Sequence, residues 1–138
     1  MSAEDVLLVI DSSLNRRIAG ELKGRGRQAV SAAELGSARM TDAELIRGLS
    51  RRLADQPWVL VTADDFLPAE QAGLLGRHHV TVATVAPRRG GAGMDEERHG
   101  RETCHRWAHA MATQDPGSAR RYSPTANRQW TGGRAGSS

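Results

Sequence analysis

The chain has 138 residues, enough for about one domain, and 38% of them are hydrophobic. Its single cysteine, Cys104, excludes an internal disulfide and suits a reducing compartment. No apolar run reaches the ~20 residues of a membrane span, and the N-terminus lacks the basic-then-apolar order of a signal peptide. We therefore expect a soluble, cytoplasmic protein without a membrane partner.

The charge is distributed unevenly along the chain. Residues 1–87 carry 10 Lys plus Arg against 11 Asp plus Glu, a net of −1, whereas residues 88–138 carry 9 against 5, a net of +4. A basic C-terminal part of this kind either meets a polyanion or is a solvated tail.

Strand and helix patterns alternate over the first 87 residues. Apolar runs predict strands at residues 6–10, 28–31, 58–62 and 79–86. Helical spacing predicts helices that begin near Leu14, after a capping box at residues 41–44, and near Ala69. Strands that are apolar on both faces and separated by helices predict a three-layer α/β/α fold with a mostly parallel sheet.

The amino-acid composition changes after Pro87. Residues 88–93 form a Gly/Arg-rich stretch, residues 96–114 have the pattern of a polar helix, and residues 115–138 are polar and basic. We predict an α/β domain over residues 1–87, a linker and C-terminal helix over residues 88–114, and a disordered basic tail over residues 115–138.

Acidic residues follow the predicted strands. Asp11 ends the first strand, Asp64 and Asp65 follow the third, and Asp42 and Glu44 open the helix between them. In open α/β sheets the ligand crevice lies beyond the carboxyl ends of the strands. Carboxylates gathered there repel one another unless a cation joins them, and hard oxygen ligands suit Mg²⁺ or Mn²⁺.

Helix capping is the alternative explanation for most of these acids. Asp42 and Glu44 can stabilise a helix N-terminus, and Asp64 and Asp65 can cap the helix that follows them. Asp11 is harder to explain in this way, because it ends an apolar strand and Asp is seldom buried unpaired.

Three segments resemble PIN domains in the order in which that family has them. Residues 9–14, VIDSSL, resemble the opening strand and turn, and residues 59–66, VLVTADDF, resemble the later strand with its Thr-x-Asp motif. Between them, ELG at 34–36 and TDAELI at 41–46 are similar to the compact PIN-like branch often found in toxin–antitoxin operons. The resemblance covers about residues 6–87.

The resemblance implies a metal-dependent endoribonuclease, the toxin of a toxin–antitoxin pair. It further implies RNA as substrate, a cognate antitoxin as partner, and a homodimer. Asp11, Asp42 and Asp64 match the family's metal-binding acids for Mg²⁺ or Mn²⁺, and Asp65 is a further catalytic candidate as a ligand or a water-holding group.

Three residues are accessory candidates. Ser13 could bind a phosphate oxygen or cap a helix, and Thr62 would fix the loop by a side-chain to backbone hydrogen bond. Glu44, or Glu34 in its place, could replace a Glu that larger PIN domains carry elsewhere. Ser12 and Ser13 stand where the compact branch usually has Glu and Asn. The alternative is therefore a catalytically inactive PIN-like module that binds RNA or protein.

Other chemistries have weaker support in the sequence. A phosphoacceptor receiver needs an acidic pair after the first strand and a lysine near the last one, whereas the chain's one lysine is Lys23. A soft-metal site could combine Cys104 with His99, His105 and His109. Dinucleotide binding is disfavoured, because no Gly-x-Gly-x-x-Gly follows the first strand.

Overall fold

A computed structural model describes residues 2–37, 39–87 and 96–130 of the chain. Six strands form one sheet: β1 Leu7–Ile10, β2 Ala29–Ser31, β3 Trp58–Thr62, β4 Thr81–Val85, β5 Ala119–Tyr122 and β6 Asn127–Gln129. Five helices accompany them: α1 Arg17–Gly24, α2 Asp42–Arg52, α3 Leu67–Glu70, α4 Ala72–His78 and α5 Glu96–Ala112. Two short 3₁₀ segments cover Ala3–Asp5 and Ala32–Leu35.

The strands lie in the order β2-β1-β3-β4-β5-β6. The first five are parallel, and β6 returns antiparallel to β5. The chain forms β2 on one side of β1 and then crosses back to form β3 on the other side, so the order reverses at the β1–β3 boundary. The predicted α/β fold with a mostly parallel sheet is confirmed.

Each face of the sheet is covered by its own hydrophobic core. On one face, Leu8 and Ile10 of β1 pack with residues of α1 and α5 such as Ile18 and Met111. On the other face, Val9 packs with residues of α2, α3 and α4, among them Ile46. Alternate residues of one buried strand thus serve two cores, which explains why its sequence is apolar without alternation.

Helix α2 begins as its sequence predicts. The Glu44 backbone N–H donates to Thr41 Oγ1 at 3.2 Å, and the Thr41 N–H donates to Glu44 Oε1 at 3.1 Å. The capping box therefore satisfies two backbone donors that the first helical turn leaves open. Leu45, Ile46 and Leu49 form its buried face.

The prediction of disorder is wrong for residues 115–130. They form β5 and β6, and the parallel pairing of β5 with β4 extends the sheet that begins near the N-terminus. Tyr122 of β5 is fully buried, and its hydroxyl donates to Gln114 Oε1 at 2.8 Å. One buried aromatic side chain and the open edge of β4 together order a segment that is otherwise polar. Residues 131–138 and the predicted linker at 88–93 lie outside the described residues.

Candidate functional site

The carboxyl edge of the sheet brings the loops after β1 and β3 together. The Asp11 N–H donates to the Val61 carbonyl at 2.8 Å, which continues the β1–β3 pairing one residue beyond the strand. Because the strand order reverses here, this is the position at which doubly wound sheets open a ligand crevice. Asp11 and the loop 63–66 therefore lie where the fold offers a binding site.

Asp11 is held by two hydroxyl groups. It is 7% exposed, and its Oδ2 accepts hydrogen bonds from Ser13 Oγ and from Thr62 Oγ1, each at 2.8 Å. Asp11 takes part in no ion pair between described residues. The acidic partners in those ion pairs are Glu21, Glu102 and Asp65. The carboxylate is thus fixed in one orientation without a neutralising partner.

The same hydroxyls also fix the β3 loop. Thr62 Oγ1 accepts from the Asp64 N–H at 3.0 Å, and Ser13 Oγ accepts from the Ala63 N–H at 2.9 Å. The predicted role of Thr62 in the loop geometry is confirmed. The capping role considered for Ser13 is wrong, because α1 begins only at Arg17 and Ser13 instead joins the loops after β1 and β3.

Asp42 at the start of α2 lies in the field of several other carboxylates. Burial raises the pKa of Asp42, and Asp64, Asp11 and Glu70 raise it further. All three predicted metal-binding acids therefore interact at this edge of the sheet. Glu70 is a fourth acid that the sequence interpretation missed, although its place in the first helix after β3 puts it near the same edge.

Asp65 lies apart from this group. Its Oδ2 pairs with Arg121 Nη2 of β5 at 2.8 Å, and it is not among the residues that raise the pKa of Asp42. Asp64 instead turns back on its own loop, where its Oδ1 accepts from the Phe66 N–H at 3.0 Å. The structure thus separates two adjacent acids that the sequence could not tell apart.

Glu44, an accessory candidate, is committed to the capping box. Its hydrogen bonds with Thr41 lower the pKa of Glu44, as expected for a carboxylate that accepts a backbone N–H. These contacts match the capping explanation rather than a role at the metal.

The described residues contain no group of three or more His, Cys, Asp or Glu side chains that could hold a metal ion. Asp11, Asp42 and Asp64 interact electrostatically but do not form a complete ligand cage. This donor set still fits Mg²⁺, which keeps several waters and commonly binds one or two carboxylates together with substrate phosphates. The metal-binding roles stay predictions.

Clefts border the sheet at its carboxyl edge and at its amino edge. One of about 360 Å³ opens at the carboxyl edge between the β1–α1 loop and α5, and Ser13, Ala63, Pro87 and His99 are among its lining residues. A larger cleft of about 450 Å³ lies at the amino edge, beside Trp58. Asp11, Asp42 and Asp64 are not among the lining residues of either cleft, although the hydrogen-bonded pair Ser13 and Ala63 places the smaller one next to Asp11.

The alternative soft-metal site is not assembled. Cys104 is buried, and burial raises the pKa of its thiol to about 12. His99 bonds the Ala86 carbonyl at 2.8 Å, and His105 bonds Glu21 at 2.8 Å. His109 contacts Arg27. Each side chain has a different neighbour, so they do not converge on an ion.

Comparison of the chain with protein-family models, with curated proteins and with solved structures finds no match. Within the described ranges, no helix is long and apolar enough to cross a bilayer.

Proposed function

We propose that this protein is a metal-dependent endoribonuclease of the PIN-like kind. The observation that supports it best is the geometry of the β1–β3 boundary, where the Thr62 hydroxyl bonds both the Asp11 carboxylate and the Asp64 N–H, and where both acids raise the pKa of Asp42. A fold loses stability by holding carboxylates together, so such a group is expected where a cation or a proton is used.

Bound Mg²⁺ or Mn²⁺ would supply charge neutralisation on a phosphodiester and lower the pKa of a bound water. Asp11 and Asp64 are the residues proposed to hold the ion, since the hydroxyl of Thr62 bonds both the Asp11 carboxylate and the Asp64 N–H. Asp42 is proposed to hold the attacking water, because its carboxyl opens α2 and interacts electrostatically with both Asp11 and Asp64.

The test is cleavage of single-stranded RNA with Mn²⁺ and with chelator. Asp11→Asn and Asp64→Asn should each abolish cleavage while the far-UV circular dichroism stays unchanged. Asp55→Asn is the matched control, because it makes the same change in an exposed turn between α2 and β3. The proposed site would be excluded if the wild-type protein still cleaved RNA in chelator. It would also be excluded if Asp11→Asn and Asp64→Asn both cleaved RNA as fast as wild type.

A second candidate is an inactive PIN-like module that binds RNA or protein. The described residues contain no group of three or more potential metal ligands, which favours this candidate. It is also favoured by the two hydroxyl groups that donate hydrogen bonds to Asp11 Oδ2 and so occupy that oxygen. In that case the protein should retain RNA in a filter-binding assay, with the same affinity in Mn²⁺ and in chelator, and should not cleave it.

We also propose, from the sequence resemblance alone, that the protein is the toxin of a toxin–antitoxin pair, acts in the cytoplasm and forms a homodimer. Expression should then arrest growth, and co-expression of the protein encoded by the adjacent gene should restore it. Rescue without a physical complex between the two proteins would contradict the pairing.

A further inference from the structure

We propose that the C-terminal hairpin, formed by β5, β6 and Trp130, is a clamp that positions the acidic loop 63–66. In this clamp, Asp65 is the anchor, and Asp64 is left as the acid that serves the site. The assignment of Asp64 rests on the proposed function, whereas the clamp itself does not.

Contacts from Arg121 and Trp130 join the hairpin to the loop. Arg121 Nη2 of β5 pairs with Asp65 Oδ2 at 2.8 Å, and Trp130 Nε1 donates to the Asp65 carbonyl oxygen at 3.1 Å. One contact fixes the side chain of Asp65 and the other fixes its backbone. Residue 65 is therefore held at two points by a part of the chain that follows it much later.

The ion pair is buried on the side of the acid. The Asp65 side chain is 8% exposed and that of Arg121 is 31% exposed. Asp65 Oδ1 and Arg121 Nε are buried without a hydrogen-bond partner among the described residues. Loss of Arg121 would leave a buried carboxylate with no compensating charge. Removing one partner of a buried ion pair is strongly destabilising for this reason.

The hydrogen bonds of the loop connect this anchor to Asp64. Asp64 is bonded through its N–H to Thr62 Oγ1 and through its Oδ1 to the Phe66 N–H, each at 3.0 Å. Because residues 64 and 65 share a peptide bond, a backbone displacement of Asp65 after the loss of these contacts would also displace Asp64. Arg121 and Trp130 are thus positioning residues, which do not touch the site directly.

Arg128 provides a matched control within the same hairpin. It lies directly opposite Arg121 in the β5–β6 register, is exposed, and belongs to none of the ion pairs between described residues. Substitution of either arginine removes the same charge from neighbouring positions, so long-range electrostatics are similar in both variants.

The clamp is tested by amide hydrogen exchange in metal-free protein. In Arg121→Gln, exchange at the amides of Asp64 and Phe66 should accelerate by roughly tenfold or more, while amides of α1 keep their wild-type rates. Arg128→Gln should leave both regions unchanged. Arg121→Lys should restore part of the protection, and Trp130→Phe, which keeps an aromatic ring but removes the indole N–H donor, should give a smaller acceleration. Equal exchange in the Arg121→Gln and Arg128→Gln proteins would overturn the clamp.

Calorimetric titration with Mn²⁺ distinguishes a failure of the clamp from a failure of the proposed function. If both are correct, Asp64→Asn loses Mn²⁺ binding without faster loop exchange. Asp65→Asn and Arg121→Gln should weaken Mn²⁺ binding and also loosen the loop. If wild type does not bind Mn²⁺ but Arg121→Gln still loosens the loop, the clamp stands and the proposed function fails. If Asp65→Asn leaves both loop exchange and Mn²⁺ affinity at wild-type values, Asp65 is not the anchor.

Discussion

The single tyrosine offers a direct test of how the C-terminal strands pack. Burial raises the pKa of Tyr122 from 10.0 to about 12, with Arg120 acting in the opposite direction. At ~1.36 kcal/mol per pKa unit, this shift corresponds to about 3 kcal/mol of folding free energy. The folded state holds the phenolic proton to higher pH than the unfolded chain does. The contribution of the neutral Tyr122 phenol to the folding free energy is therefore fully present below pH 10.0 and is lost as the pH rises to about 12.

The assay is an alkaline titration that records phenolate absorbance and circular dichroism on the same sample. Because the chain has one tyrosine, the absorbance reports Tyr122 alone. We expect no phenolate near pH 10 in the native protein, and a later rise that coincides with loss of structure. In denaturant the same group should titrate near pH 10.

Phenolate that forms near pH 10 while the circular dichroism stays native would refute the packing of β5. The variant Tyr122→Phe gives an independent check, because it keeps the ring and removes only the donor to Gln114 Oε1. We expect it to lower the free energy of unfolding by about 1–3 kcal/mol, the usual effect of leaving a buried acceptor unsatisfied.

Three further predictions concern the hairpin and the acidic edge. Removal of residues 115–138 should abolish cooperative melting, because it exposes β4 and deletes Tyr122; a cooperative transition recorded by circular dichroism would contradict this. Asp42→Asn should raise the free energy of unfolding of the metal-free protein at neutral pH. This gain should vanish below about pH 4, where the Asp42 carboxyl of the unfolded chain is also protonated. A lower free energy of unfolding for Asp42→Asn in a urea titration at pH 7 would contradict this. Thr62→Val should cost about 1–3 kcal/mol, since it removes the donor to Asp11 and the acceptor of the Asp64 N–H; an unchanged urea midpoint would show that neither bond contributes.

The sequence predicts the first four strands of the chain well because the pattern there is local. Strand β3 has the predicted bounds, Trp58–Thr62, and α2 begins at its predicted capping box. The segments that became β5 and β6 read ARRY and NRQ, which carry neither an apolar run nor an alternating one. Their order depends on tertiary burial of Tyr122 and on the free edge of β4, which no short window of sequence contains.

The candidate site shows the same limit. The positions of Asp11 and Asp64 at strand ends follow from the strand pattern, but the fate of Asp65 depends on Arg121, a residue on a strand that the pattern did not reveal. Glu70 was missed because nothing in its local sequence marks the short helix α3 as facing the acids. Long-range pairing, rather than local propensity, decides which acids converge.

The position of β5 and β6 at the end of the sheet has a consequence for folding during synthesis. A ribosome delivers the chain from the N-terminus, so β1, β3 and β4 emerge before the strand that covers β4. Until Arg121 and Trp130 emerge, Asp65 has neither of its two distant contacts. A nascent chain therefore has all the acids of the site before it has the means to order their loop, and translation past Trp130 is required to complete the carboxyl edge.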